Sequence, residues 1–312
     1  MSDPSTVVHF ITHRADAGKR LDQLVLSRAG DLFGSSRTRV QLWIQDGHVR
    51  MNRRTVRRSA SPAMPDSVVE IDRPVEAPAR QRPSAEALDL SIVYEDHRLL
   101  ALNKAAGTVV HPSYRNRSGT LLNGVLWHLR DRPAARPGIL TRLDRGTSGL
   151  VLVALGGDVQ HQLQGDGAIA KEYLVLVRGR PPREAGVLSA PLGRDAADRR
   201  RVVVRDDGAP SRTRYEVLRT GDDVSLLRCE LLTGRTHQIR VHMAAAGWPV
   251  VGDADYGVPH PLLDHQALHA WRVTVTHPAW PAPLRLEARL PDDFRRVLEQ
   301  SCPGARHEAL RT

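Results

Sequence analysis

The sequence is short of the features that announce secretion, membranes or bound metal. It has only two cysteines in 312 residues, Cys229 and Cys302. Cys229 falls in an apolar strand pattern and Cys302 in a Pro/Gly tail. Neither a disulfide framework nor a thiolate metal site is expected, and a reducing, cytoplasmic setting is. The opening stretch MSDPSTVVHFITHR lacks the apolar centre of a signal peptide, and no apolar run reaches the ~18 residues of a membrane span. Patterns for a dinucleotide-binding turn, a P-loop, a zinc site or a serine-hydrolase elbow are missing, as is any internal repeat. Acid is also scarce: 35 Asp and Glu stand against 45 Lys and Arg, a net charge of +10. A basic surplus is the footprint of a nucleic-acid partner. Taken alone, it also fits a merely basic soluble surface.

What is present suggests two domains. With 41% apolar and 26% charged residues, the chain can bury a real core. Residues 14–72 read as a compact basic module. A helix is expected through Leu24, and a second from an N-cap at Ser35 or Ser36, with Val40, Trp43 and Ile44 at helical spacing and a stop at Gly47. A hairpin follows, turning at Asn52-Arg53-Arg54, and a closing strand covers 68–71. Between Arg37 and Arg58 lie seven arginines and one acid, Asp46. One-signed and clustered on a helix–turn–strand unit, they suit phosphate contact better than an ordinary solvated face. Residues 73–90, rich in Pro, Ala and charge, read as a linker. The larger domain spans 91–300, and 301–312 reads as a flexible tail. Strands are expected at 99–102, 150–155, 173–177, 202–204, 224–232 and 273–275, with helices at 119–129, 158–163 and 237–246. Strands dominate and regular βαβ alternation is missing, which predicts an α+β fold with a mixed, largely antiparallel sheet.

Four stretches could carry chemistry. In GILTRLDRGTSGLVLVAL (138–155), Asp144 sits between Arg142 and Arg145 in a loop before an apolar strand. Flanking cations would favour its charged form, and an ionised carboxylate is a competent nucleophile or base. Read alone, the same acid is more simply an Asx-turn or a loop salt bridge. In LLTGRTHQIRVHMAAAG (231–247), Thr236 is the expected N-cap, and Ile239, His242, Met243 and Ala246 form the buried stripe. Arg235, His237 and Arg240 lie in or before its first turns, where backbone N–H groups favour anions. His237 and His242, five residues apart, fall on different faces and do not make a metal pair. Tyr173, in AIAKEYLVLVRG, is either a core aromatic or a phenol held against a base. The fourth stretch, VYEDHRLLALNKAAGTVVHP, carries Asn103-Lys104.

Together and in this order, these stretches resemble the RluA family of RNA pseudouridine synthases, in the subgroup that begins with an S4 RNA-binding domain. The resemblance rests on Val93-Tyr94-Glu95-Asp96 with Asn103-Lys104, Arg142-Leu143-Asp144-Arg145 with Thr147-Ser148-Gly149, Lys171-Glu172-Tyr173, Gly234 to Arg240, and VVGDADYG with LHA. It covers about 14–290. The S4-like part rests on RLDQLV, SSRTRVQLWIQDGHVRMN and DSVVEI. It implies a pseudouridine synthase fold with a small N-terminal α/β module. It also implies isomerisation of a flipped-out uridine in RNA to pseudouridine, with no cofactor and no metal. Asp144 matches the family's essential aspartate, Arg240 the arginine that pairs with it, and Tyr173 the tyrosine that stacks on the base and is a candidate acceptor for the C5 proton. Ile239, Leu143, Arg235 and His237 are implied to line the substrate site, and Arg142 to enter the RNA stack. Arg37, Arg39, Arg50, Arg53 and Arg54 would bind RNA. Thr141 stands where the family usually has His. The S4-like part favours structured RNA, ribosomal (23S) ahead of transfer RNA. A non-catalytic RNA-binding or ribosome-assembly factor that retains the fold is the alternative. A monomer with no membrane partner is expected.

Overall fold

Strands outnumber helices, some alternating buried and exposed residues, as in β13, and some buried throughout, as in β8. The computed structural model describes residues 7–33, 37–72, 83–113, 116–132, 134–165, 167–277 and 280–303. The chain divides into two units, Met1–Arg82 and Pro83–Thr312.

In the first unit, β1 (Val7–Ile11) precedes α1 (Leu21–Phe33) and α2 (Arg37–Asp46), followed by β2 (Val49–Met51), β3 (Arg54–Thr55) and β4 (Val68–Asp72). The strands form one antiparallel sheet in the order β1-β4-β2-β3. Leu21 and Val25 of α1, Val40 and Ile44 of α2, and Val49, Val69 and Ile71 of the sheet make its core, each fully buried. β1 lies before the expected start at 14. The expected N-cap at Ser35 or Ser36 and residues 73–82 of the expected linker fall outside the described residues. Gly47, at φ 88°, ends α2 as expected. The hairpin turn is tighter than the sequence suggests. Arg54 already pairs with Met51, which leaves Asn52 (φ 51°) and Arg53 (φ 64°) as a two-residue turn with both φ positive.

The second unit begins with β5 (Ile92–Glu95), β6 (Leu99–Lys104), α3 (Leu121–His128), β7 (Gly138–Ile139), β8 (Ser148–Ala154), α4 (Gly157–Leu163) and β9 (Ile169–Arg178). It continues with β10 (Ala185–Ser189), β11 (Leu192–Arg194), β12 (Val202–Val204), β13 (Arg212–Thr220), β14 (Val224–Leu231), α5 (Gln238–Ala245), β15 (Leu268–Val275), β16 (Leu284–Glu287) and α6 (Asp292–Ser301). The main sheet runs β10-β13-β14-β9-β15-β8-β6-β5, with β16 on β15 and β7 on β8. Among the described strands, β15 and β8 alone pair in parallel, so the sheet is mixed and largely antiparallel, as expected. β11 and β12 form a separate hairpin.

Alternation explains the layers. Tyr173, Val175 and Val177 of β9 face one core with Ile239 and Met243 of α5, while Leu174 and Leu176 face another with Phe294 and Val297 of α6. Burying each such aliphatic side chain stabilises the fold by about 1.5–3 kcal/mol. Residues 83–90, expected as linker, are pinned to α3: the Asn123 side-chain amide donates to Ser84 O at 2.7 Å, and Leu90 closes on Gly124. Cys302, expected in a frayed tail, is buried against β14, its Sγ 3.3 Å from Val224 O. Among the described residues, no helix is long and apolar enough to cross a membrane.

Candidate active site

Asp144 lies in the loop between β7 and β8, and the backbone explains how that loop meets β9. Ser148 and Gly149 at the start of β8 pair with His269 and Ala270 of β15, and Ala270 pairs on its other side with Tyr173. Gly149 is indispensable here. Its φ is 108°, and a Cβ would sit 2.2 Å from Ala270 O. Three strands are thus drawn together, and the Asp144 loop is carried to the end of the sheet beside Tyr173.

The loop is held from below. Lys104, at the end of β6, is 1% exposed. Its Nζ donates to Ala105 O (2.9 Å), Thr108 O (2.9 Å) and Arg145 O (3.0 Å). Burial pushes this ammonium down to about 8, against the pull of the nearby Asp144 carboxylate. Thr141, also buried, accepts the Leu152 N–H at 2.9 Å. The family's usual His is therefore replaced by a residue that ties the loop to β8. Arg145 donates from Nε to Gly107 O at 3.0 Å, and Arg142 is exposed. Neither has a hydrogen bond or ion pair with Asp144 among the described residues, contrary to the expectation from their adjacency. Asp144 opens a tight turn, its carbonyl accepting the Thr147 N–H at 3.1 Å.

The cation that meets Asp144 is Arg240. Its Nη1 lies 3.2 Å from Asp144 Oδ2 across a separation of 96 residues. The same guanidinium is gripped by Asp253, which takes Nε and Nη2 at 2.7 Å each, and by Asp255 at 2.7 Å. These bonds raise the Arg240 guanidinium pKa despite its burial. Asp253 and Asp255 were not singled out from sequence, although they sit in the quoted VVGDADYG stretch. The Asp-x-Asp spacing in a turn is their one signal.

His237 caps α5 in place of the expected Thr236, with φ 55° in the left-handed region. Its Nε2 is 3.8 Å from Asp144 Oδ1, and its Nδ1 is 2.8 Å from the Tyr256 hydroxyl. Burial holds the imidazole below its ordinary value. Instead of one apolar stripe, Gln238 through Met243 are all buried. The β11–β12 hairpin covers the face that would otherwise be open, with Val241 packed on Leu192 and Val202. His242 is satisfied within this core, contacting Thr213 Oγ1 at 2.9 Å and Ala190 O at 3.1 Å. Gln238, fully engaged with Arg212 O and Thr213, anchors the helix start.

Tyr173 is 6% exposed and packs with Ile239, while Leu143 covers the same cluster. Burial raises its phenol well above the ordinary range, and the Asp144 charge adds to the rise. Both effects oppose the phenolate that a C5-proton acceptor requires. Arg235 is exposed at the mouth. Asp144, Tyr173, Arg240, His237, Leu143 and Ile239 therefore converge, with Arg142 and Arg235 outside. Arg37, Arg39, Arg50, Arg53 and Arg54 belong to the first unit. There Arg39, Arg53 and Arg54 are exposed, whereas Arg37 already faces Asp22 (3.5 Å) and Arg50 faces Glu70 and Asp72. Among the described residues, no three His, Cys, Asp or Glu side chains cluster to hold a metal ion.

The chain is similar to known proteins. Residues 98–245 match the family model described as RNA pseudouridylate synthase. An uncharacterized RNA pseudouridine synthase of Bacillus subtilis (strain 168), YlyB, is 37% identical over 290 residues, spanning 90% of this chain and 93% of its own. Ribosomal large subunit pseudouridine synthase D of Nitrosomonas europaea is 39% identical over 297 residues, spanning 91% of this chain and 84% of its own. Among solved structures, human RNA Pseudouridylate Synthase Domain Containing 1 superposes with a TM-score of 0.56 at 27% identity, covering 70% of this chain and 89% of its own.

Proposed function

Since the chain belongs to the RNA pseudouridine synthase family, we propose that Asp144 is the catalytic carboxylate and that its substrate is a uridine of large-subunit ribosomal RNA. The reaction breaks the N1–C1′ bond, joins C5 to C1′, releases the C5 proton and returns a proton to N1. Asp144 offers a part-exposed carboxylate beside Tyr173, backed by a buried cation. Arg240, fixed by Asp253, aims it. Tyr173 and Ile239 form the wall on which an extruded uracil stacks, and the protonated phenol serves as platform and donor. Arg142, free of Asp144, is placed to fill the gap left in the RNA. Base extrusion costs a few kcal/mol, least at an unpaired nucleotide.

The observation that carries this reading is the Asp144–Arg240 contact at 3.2 Å beside the Tyr173 wall. The RNA assignment draws on the relative named for the large ribosomal subunit and on the exposed Arg39, Arg53 and Arg54. We infer that the first unit is an S4-like docking module for that RNA. Asp144→Asn should abolish pseudouridine formation on ribosomal RNA, at least a thousandfold, while RNA affinity is unchanged. Equal pseudouridine from wild type and variant would reject Asp144. Pseudouridines lost from transfer RNA alone, in cells lacking the gene, would reject the ribosomal substrate.

A further inference from the structure

A hydrogen-bond chain runs from the β11–β12 hairpin to His237, beside the Asp144 carboxylate. Val202 N–H donates to the Tyr256 hydroxyl at 2.9 Å, and that hydroxyl lies 2.8 Å from His237 Nδ1. His237 Nε2 then faces Asp144 Oδ1 at 3.8 Å. Val202 N–H can only donate, and among the described residues His237 Nδ1 is the one acceptor within hydrogen-bond reach of the Tyr256 hydroxyl proton. The Tyr256 oxygen accepts from Val202, and its own proton has His237 Nδ1 as partner. A neutral imidazole that accepts at Nδ1 carries its hydrogen on Nε2.

We propose that Tyr256 is a positioning residue that locks His237 in its Nε2–H tautomer, presenting a single N–H donor beside the Asp144 carboxylate. The inference rests on the reading of Asp144 as the catalytic group. At 3.8 Å the donor is too far for a direct bond to Asp144. It is offered to a substrate oxygen, or a water, held between ring and carboxylate.

Three observations support the lock. The Tyr256 ring is held by two guanidiniums, Arg240 at 4.9 Å and Arg201 at 5.3 Å from its centroid, and Arg201 also donates to Asp255 O at 2.6 Å. His237 adopts φ 55°, a left-handed conformation that a non-glycine residue keeps only when its surroundings enforce it. The Tyr256 phenol is raised by burial and so stays protonated. The His237 imidazole is lowered chiefly by burial, reinforced by Arg240 and opposed by Asp144, Asp255 and Asp253. Both partners thus hold the protonation states that the chain needs.

The test uses the full chain labelled with 15N-histidine, in two-bond 1H–15N spectra near neutral pH, with His237 assigned through His237→Asn. Asn tolerates the left-handed backbone, so this variant is expected to fold. The wild type should show a protonated Nε2 and a bare Nδ1 at His237. Tyr256→Phe should give signals averaged over both tautomers. Its kcat should fall about tenfold with KM unchanged, as expected for one neutral hydrogen bond. A protonated Nδ1 in the wild type, or an unaltered His237 spectrum in Tyr256→Phe, overturns the lock. Should Tyr256→Phe fail to fold, the wild-type spectrum still decides the tautomer. Asp144→Asn keeps the two readings apart: full activity there rejects Asp144 as the catalytic group and leaves the tautomer result standing.

Discussion

Arg240 carries one positive charge and faces three carboxylates, which are not equivalent. The Asp253 side chain is 0% exposed and takes two N–H bonds, whereas the Asp255 side chain is 59% exposed and takes one. Asp253 also accepts the backbone N–H groups of Asp255 (3.0 Å) and Tyr256 (3.2 Å), so it organises the turn as well as the guanidinium. Removing one partner of a buried pair leaves the other uncompensated, at a typical cost of 3–5 kcal/mol. Asp253→Asn should therefore lower stability by about 3 kcal/mol and reduce kcat, while Asp255→Asn should cost less than about 1 kcal/mol. Urea unfolding of both variants measures the contrast, and equal losses would show that burial does not rank these partners. At this scale the sequence is legible only in part. The Asp144–Arg240 pair could be named from the family's residue order. Asp253 could not, because its importance comes from a turn that places it under Arg240. The adjacent Arg142 and Arg145 misled for the same reason, since contact follows the fold and not the order of residues.

The β2–β3 hairpin shows how an element can trade stability for a surface. A two-residue turn with both φ positive ordinarily takes Asn-Gly; here it is Asn52-Arg53. A non-glycine residue at φ 64° is strained by roughly 1–2 kcal/mol. Arg53 is exposed, so packing does not account for it. The proposed phosphate contact would account for it. Arg53→Gly should raise the stability of the Met1–Arg82 unit by about 1 kcal/mol, weaken RNA binding, and reduce the slope of log affinity against log salt by about one. The opposite signs are the useful part, because a substitution that merely damaged the hairpin would lower both quantities. Hydrogen-exchange stability and a salt titration of RNA affinity read them separately. Among elements, β8, β9 and β14 are legible as apolar runs. β13 is hidden by alternating Arg and Thr, half of it facing solvent. α6 is hidden by its acidic first turn, and its apolar residues are recognised only once Phe294 and Val297 are seen under β9.

For the whole molecule, acid should act unequally on the two units. In Pro83–Thr312, burial lowers His237, His242 and His269, the last to about 4. His269 is 0% exposed and ties β15 to β8, meeting Ser148 Oγ at 2.9 Å and Ala288 O at 3.2 Å. Unfolded, each histidine takes up a proton near ~6.5; folded, these three resist it. The unfolded state therefore binds more protons in that window. Stability is complete above ~6.5 and is lost as pH falls toward 4, by about 3 kcal/mol from His269 alone. In Met1–Arg82 the lowered groups are carboxylates: Asp22, chiefly through its hydrogen bonds from Arg20, and Asp16, chiefly through the His13 backbone N–H. Their contribution is present above ~3.9 and is lost only below it. Between pH 7 and 4.5 the second unit should thus weaken while the first holds. Hydrogen exchange in urea on the full chain distinguishes them, with β9 peptides reporting on one unit and α1 peptides on the other. His269→Gln should flatten the pH dependence of β9 alone. Parallel weakening of both units, or a β9 profile unaffected by His269→Gln, would assign the acid sensitivity to general charge repulsion in this basic chain and not to its buried histidines.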